Sequence, residues 1–183
     1  MPNLYGIAGC KGAGKTTTSY TVLPEMLNCK EFVNADEIAR GLSPFQPETV
    51  SFQAGRIMLG RIRELLQGKN DFGFETTPSS KGHVHLIRQA KRLGYTVVLI
   101  YFWLESEDLA RARVKARVEK GGHDIAPEVI DRRYRRGLKN FFSSYQKLSD
   151  SWVIFDNSYE KRRRRFGYLP GWKDCLRKTP RVK

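Results

Sequence analysis

Apolar residues along this chain follow two alternating rhythms. Short runs with the length and composition of buried strands occur at Asn3–Ala8, Glu31–Asn34, Asp71–Phe74, Thr96–Leu104 and Trp152–Phe155. The fourth is apolar almost throughout, as a strand covered on both faces must be. Between the runs, apolar positions recur every third or fourth residue. Thr16–Leu23 can open a helix. Pro47–Gln67 carries Val50, Ala54, Ile57, Met58, Ile62, Leu65 and Leu66 at helical spacing and stops at Gly68. Further helices are expected at Gly82–Leu93, at Ser106–Glu119 and at Pro127–Tyr145. Ser106 reads as an N-cap with Glu107 and Asp108 in the first turn, and Gly121-Gly122-His123-Asp124 breaks the chain after that helix. Strands alternating with helices predict an α/β sheet built of βα units. With 183 residues, no repeats and no low-complexity linker, the chain reads as one domain over residues 1–160 and a basic tail over 161–183.

Between the first strand and the first helix stands Gly9-Cys10-Lys11-Gly12-Ala13-Gly14-Lys15-Thr16, followed by Thr17. This is GxxxxGK[ST], the phosphate-binding P-loop. In that setting backbone N–H groups from Gly9 to Thr17 face a phosphate chain, Lys15 reaches the β- and γ-phosphates, and the Thr16 hydroxyl ligates Mg²⁺. A nucleoside triphosphate is the expected ligand. Ligands on open α/β sheets sit off the carboxyl ends of the strands, and the loop, Asp36, Glu75 and Asn157 all fall just past such ends. They should converge on one site. Asp36 is placed to take the proton of a substrate hydroxyl, with Arg40 one helical turn on to hold an anionic or polar group. The alternative is a capping Asp and a solvated Arg. Glu75 would hold a substrate hydroxyl or a Mg²⁺-bound water, or else cap a strand end.

Arg111 to Arg136 reads as a lid: a basic helix, a glycine break and a second basic helix. Phosphoryl transfer needs cations on the moving group, and a closing lid supplies them while excluding water. Successive helical residues point in different directions, so most of these cations form a solvated face. His83, His85 and His123 have no metal-ligand spacing, and His123 is read as a hinge contact.

Charge changes the picture in one respect. The net charge is +14, with ten Lys and Arg against eight Asp and Glu up to Ala90 and twenty-three against eleven beyond it. Such a field favours anionic partners without choosing among them. Lys161-Arg162-Arg163-Arg164-Arg165 could touch RNA, but it lacks interleaved aromatic residues and reads as a solvated tail. Cys10, Cys29 and Cys175 are sparse and odd in number, which points to reduced thiols in a cytoplasm; Cys10 is read as a partly exposed loop filler. Neither a membrane span nor a secretory leader is expected.

With these residues assembled, the chain resembles the zeta toxin-like family of P-loop kinases over roughly Leu4 to Ser158. The resemblance rests on Ile7-Ala8-Gly9 running into Gly12-Ala13-Gly14-Lys15-Thr16-Thr17, and on Phe32-Val33-Asn34-Ala35-Asp36-Glu37-Ile38-Ala39-Arg40-Gly41-Leu42-Ser43-Pro44. It extends to Phe74-Glu75-Thr76-Thr77, Arg117-Val118, the glycine break, Arg133-Tyr134 and Asp156-Asn157-Ser158. It implies a P-loop NTPase fold: a five-stranded parallel sheet with helices on both faces and a helical lid over about residues 111–136. It also implies ATP as donor, Mg²⁺ as cofactor and transfer of the γ-phosphoryl group to a hydroxyl. In zeta toxins that hydroxyl is the 3′-OH of UDP-N-acetylglucosamine. By matched position Asp36 is the base, Lys15 and Thr16 serve phosphate and metal, Asn157 lies with the nucleotide, and Glu75 and Thr76 lie on the acceptor side. Arg117 and Arg133 are the lid arginines, with Arg132 or Arg113 as alternatives. The likeness is to compact stand-alone chromosomal members rather than to toxins of addiction modules, which leaves an antitoxin partner open. A departure is Cys10-Lys11 where Pro-Asn is common. Rival readings are a kinase acting on another nucleotide or on an RNA end, and a nucleotide-binding regulator without transfer.

Overall fold

The computed structural model describes residues 1–119, 125–159 and 165–168. The glycine break with His123, the tail residues 161–164 and Cys175 lie outside the described residues.

Six strands form one sheet in the order β2-β3-β1-β4-β5-β6. They are β1 (Asn3–Gly9), β2 (Glu31–Val33), β3 (Phe72–Thr76), β4 (Thr96–Trp103), β5 (Ser151–Asp156) and β6 (Arg165–Tyr168). The first five are mutually parallel, as the βα alternation requires. The sixth runs antiparallel to β5, with Trp152 opposite Tyr168 and Phe155 opposite Arg165. It lies inside the segment read as a basic tail. Only Arg165 of it belongs to the basic run; Phe166 and Tyr168 alternate at strand spacing but over four residues alone, and their pairing covers the edge of N–H and C=O groups that β5 would otherwise offer.

The period-two alternation of the strands sorts the core into two layers. Leu4, Phe72, Phe74, Val97, Leu99 and Tyr101 face α3 (Ser51–Gln67) and α4 (Gly82–Arg92). Tyr5, Ile7, Val98, Ile100, Phe102 and Phe155 lie in the opposite layer, with the π-helical turn Val22–Met26 that continues α1 (Lys15–Thr21), and with α5 (Glu107–Val118) and α6 (Pro127–Asn140). The Ser106 hydroxyl accepts the Leu109 N–H, the cap expected at the start of α5. The helix expected from Pro47 begins instead as a 3₁₀ turn, Pro47–Val50, before α3 proper. A separate helix, α2 (Ala35–Leu42), follows β2, and the Asn34 side chain accepts the Asp36 N–H at its start. The helix read as continuous to Tyr145 passes through a π-helical turn at Phe141–Tyr145 and closes with the short α7 (Gln146–Leu148). Among the described residues no helix is long and apolar enough to cross a membrane.

Because β1, β2, β3 and β5 are parallel, their carboxyl ends share one rim. The P-loop, Asn34 and Asp36, Glu75 and Thr76, and Asn157 all lie on or just past it. The expected convergence holds for the loop, Asp36 and Glu75, which share one cleft, whereas Asn157 bonds the loop at Ala13 and is not among the residues that line it.

Candidate functional site

The P-loop is shaped by three glycines of positive φ, Gly9, Gly12 and Gly14, which no other residue could replace without strain. Gly9 has φ +149°, and a Cβ there would lie 2.5 Å from the Phe102 carbonyl oxygen. Gly14 has φ +78°, and a Cβ would lie 2.5 Å from the Asn157 Nδ2. That amide nitrogen donates to the Ala13 carbonyl at 2.8 Å, while the Asn157 backbone N–H donates to the Trp103 carbonyl at 2.9 Å. Asn157 therefore ties the loop to the end of β4 from behind. Cys10 is a correction: it is buried at 4% exposure in the layer under α5, not partly exposed. Burial pushes its thiol pKa up, with nearby Lys15 opposing. Thr17 is exposed.

Lys15 turns back over the loop. Its Nζ donates to the Cys10 carbonyl at 2.9 Å and stands 3.5 Å from Glu75 Oε1, with both side chains under one-tenth exposed. The other Glu75 oxygen accepts from the Thr16 hydroxyl at 2.6 Å and from Asn34 Nδ2 at 2.9 Å. Glu75, expected on the acceptor side, thus holds the two residues assigned to phosphate and metal. No feature of the sequence assigns Asn34 to this cluster; its only signal is that of a helix cap before Ala35-Asp36.

Asp36 sits in the first turn of α2 and pairs with Lys11 of the P-loop. Partial burial works to raise its pKa, but the Lys11 ammonium, aided by Lys15 and Arg117, brings the carboxyl below its usual value. Arg40 donates to Glu37 at 2.8 Å on the exposed side of the same helix. The Thr76 hydroxyl lies 3.1 Å from His83 Nδ1, and burial lowers the His83 pKa, which favours the neutral ring.

A cleft of about 430 Å³ joins these groups: Lys11, Asp36, Arg40, Glu75 and Thr76 share it with Arg117 from α5 and Arg133 from α6. The alternatives for the lid are engaged elsewhere. Arg113 donates to the Ser158 carbonyl at 3.0 Å, and Arg132 lines a separate groove with Glu128 and Asp131. Arg111 bridges to Asp131, and Arg135 grips Glu107 through two bonds of 2.7 and 2.8 Å, so α5 and α6 are braced together. The ends of β1, β2 and β3, the phosphate loop and two arginines thus border one cleft.

Residues 4–143 match the AAA domain family. The chain belongs to that family. An uncharacterized protein of Haemophilus influenzae is 31% identical over 102 residues, which is 56% of this AAA-domain chain and 73% of the relative. Among solved structures, a chain of the PezAT chromosomal toxin–antitoxin system of Streptococcus pneumoniae superposes with a TM-score of 0.69 at 14% identity, covering 91% of this chain and 72% of its own. Shikimate kinase from Acinetobacter baumannii, solved with shikimate, gives 0.51 at 19% identity over 83% and 82%. At these identities the likeness is one of fold. The AAA-domain chain shares the α/β architecture of P-loop proteins, a parallel sheet flanked by helices.

Proposed function

We propose that this chain is a kinase of zeta toxin-like type, which transfers the γ-phosphoryl group of ATP to a hydroxyl of a small anionic acceptor in the cytoplasm. The observation that carries the reading is the shared cleft: the Asp36 carboxylate stands beside the P-loop, facing Arg117 and Arg133. Transfer through a loose transition state asks the protein for position and charge rather than covalent help. Lys15 and the loop N–H groups would hold the β- and γ-phosphates. Arg117 and Arg133 would meet the charge on the equatorial oxygens. Asp36 would accept the acceptor's proton, and Arg40, from the same cleft wall, would meet the acceptor's charged end.

The residues present also fit a magnesium ion. Thr16 and Glu75 offer hard oxygen donors beside the phosphate loop. Mg²⁺ favours this sparse arrangement, keeping waters and substrate phosphates as its other ligands. When bound, it would supply charge neutralisation on the phosphates.

UDP-N-acetylglucosamine is the first candidate acceptor, on family likeness. The test is incubation with labelled ATP, Mg²⁺ and that sugar nucleotide, with Asp36→Asn and Lys15→Ala in parallel. Wild type should give a 3′-phosphorylated product. Asp36→Asn should bind ATP and lose transfer by several orders of magnitude, and Lys15→Ala should lose both. Absence of product with UDP-N-acetylglucosamine removes that acceptor. An Asp36→Asn variant that phosphorylates any hydroxyl acceptor at the wild-type rate removes the mechanism.

A further inference from the structure

Lys11 occupies a position that the P-loop pattern leaves free, and its side chain leaves the loop to meet a residue 25 positions later in the chain. Its ammonium is largely covered, at 14% exposure, whereas the Asp36 carboxylate is 51% exposed. Burial alone works to lower the Lys11 pKa, and the Asp36 carboxylate opposes that by pairing with it. Lys15 on the loop and Arg117 on α5 also act on Asp36, and Arg133 of α6 lines the same cleft. On its own helix, Glu37 and Arg40 are paired to each other. Lys15 is already held by the Cys10 carbonyl and by Glu75. Lys11 is therefore the loop cation paired with Asp36.

A triphosphate in the loop alters that balance. It brings several negative charges to a backbone that contains Lys11, and an ammonium on a four-carbon stem can turn toward them without moving the chain. We propose that Lys11 is a positioning residue that couples the two halves of the cleft: it holds Asp36 while the loop is empty and passes to the phosphate chain when a nucleoside triphosphate binds, leaving Asp36 free to accept a proton. The role of Asp36 as base rests on the kinase reading. The coupling itself is a property of the empty and nucleotide-loaded protein and needs no acceptor.

The consequence is reciprocal. Asp36 competes with the nucleotide for Lys11, so removing the carboxylate must tighten triphosphate binding, and must do so through Lys11. The experiment is a double-mutant cycle on binding of the non-hydrolysable analogue AMP-PNP with Mg²⁺, measured by calorimetry at fixed salt. Asp36→Asn should bind the analogue more tightly than wild type. In a Lys11→Met background the same change should have a smaller effect, by about fivefold or more, a usual scale for coupled sites. The direct repulsion between Asp36 and phosphate is lost equally in both backgrounds and cancels. Lys11→Arg, which keeps the charge, should keep the coupling, whereas a purely structural role would not be rescued by charge. Lys11→Gln repeats the cycle with a polar replacement should the methionine perturb the loop. An Asp36→Asn effect of the same size with and without Lys11 overturns the proposal. That result would leave the transfer assay unchanged, and failure to find any acceptor would leave the cycle unchanged.

Discussion

Replacing Glu75 by Gln removes one charge from a nearly buried ion pair and leaves its shape in place. The Thr16 hydroxyl and the Asn34 amide keep an oxygen to bond, so the loss falls on Lys15, which stands 3.5 Å from the carboxylate. At that separation the gross attraction is about 5 kcal/mol with an effective dielectric constant near 20. Removing one partner of such a pair leaves the other charge buried and costs about 3–5 kcal/mol, and the open side of this cleft argues for the lower end. A loss of about 3 kcal/mol in a chain of this size lowers the melting temperature by roughly 6–12 °C. Nucleotide should reverse much of this, because its phosphates would supply the anion that Lys15 has lost. A ligand at about 100 times its Kd stabilises any binder by about 2.7 kcal/mol. The variant should gain more than the wild type does, so the gap between them closes. The assay is thermal unfolding with and without AMP-PNP in the presence of a chelator, so that loss of a Mg²⁺ donor at Glu75 does not enter. A Glu75→Gln variant that melts with wild type in the absence of nucleotide refutes the reasoning. So does one whose deficit is undiminished at saturating nucleotide, since Glu75 is then not the counterion that phosphate replaces.

Two further outcomes follow from the site. Arg117→Ala and Arg133→Ala should each lower transfer by about 10²-fold or more with a smaller change in nucleotide affinity, as loss of a transition-state charge contact does; steady-state kinetics alongside analogue binding separates the two effects. The pair with Lys11 sets the folded-state pKa of Asp36 below its unfolded value, so its contribution to stability is present above the unfolded pKa and is lost as pH falls through the folded one. The difference in melting temperature between wild type and Asp36→Asn should therefore be largest near neutral pH and shrink toward the acid end, and a difference that stays constant with pH would count against the ion pair in solution.

Much of the fold was legible because its signals are local. The apolar run of β4 could only be a strand covered on both faces, and Gly9, Gly14 and Lys15 announce a loop whose backbone geometry depends on those residue types. The Ser106 cap and the helical spacing of Met58, Ile62, Leu65 and Leu66 are likewise written in consecutive residues. The short helix α2 carries Ala35, Ile38, Ala39 and Leu42 at helical spacing, a stripe of barely two turns that is easily passed over beside the longer helices. Strand β6 is missed because its alternation, Phe166 and Tyr168, spans only four residues directly after a basic run; the free edge of β5 is what it pairs with.

The tertiary structure alone decided which of the candidate groups meet. The order β2-β3-β1 sets Glu75 of β3 between the P-loop after β1 and Asn34 after β2, so a carboxylate expected to face an acceptor instead braces Lys15 and Thr16. The packing of α5 against α6 turns Arg117 and Arg133 into the cleft and leaves Arg113 on the Ser158 carbonyl and Arg132 outside. Cys10 is buried because the loop lies against α5, and Lys11 finds Asp36 because β2 ends beside the loop. Periodicity and motif spacing report the forces a residue feels from its neighbours in sequence, which is why they reveal the elements and the phosphate loop. A charge pair 25 residues apart, or a choice among the lid cations, depends on where whole strands and helices come to rest against one another, and that is fixed only when the sheet has been assembled and its two layers packed.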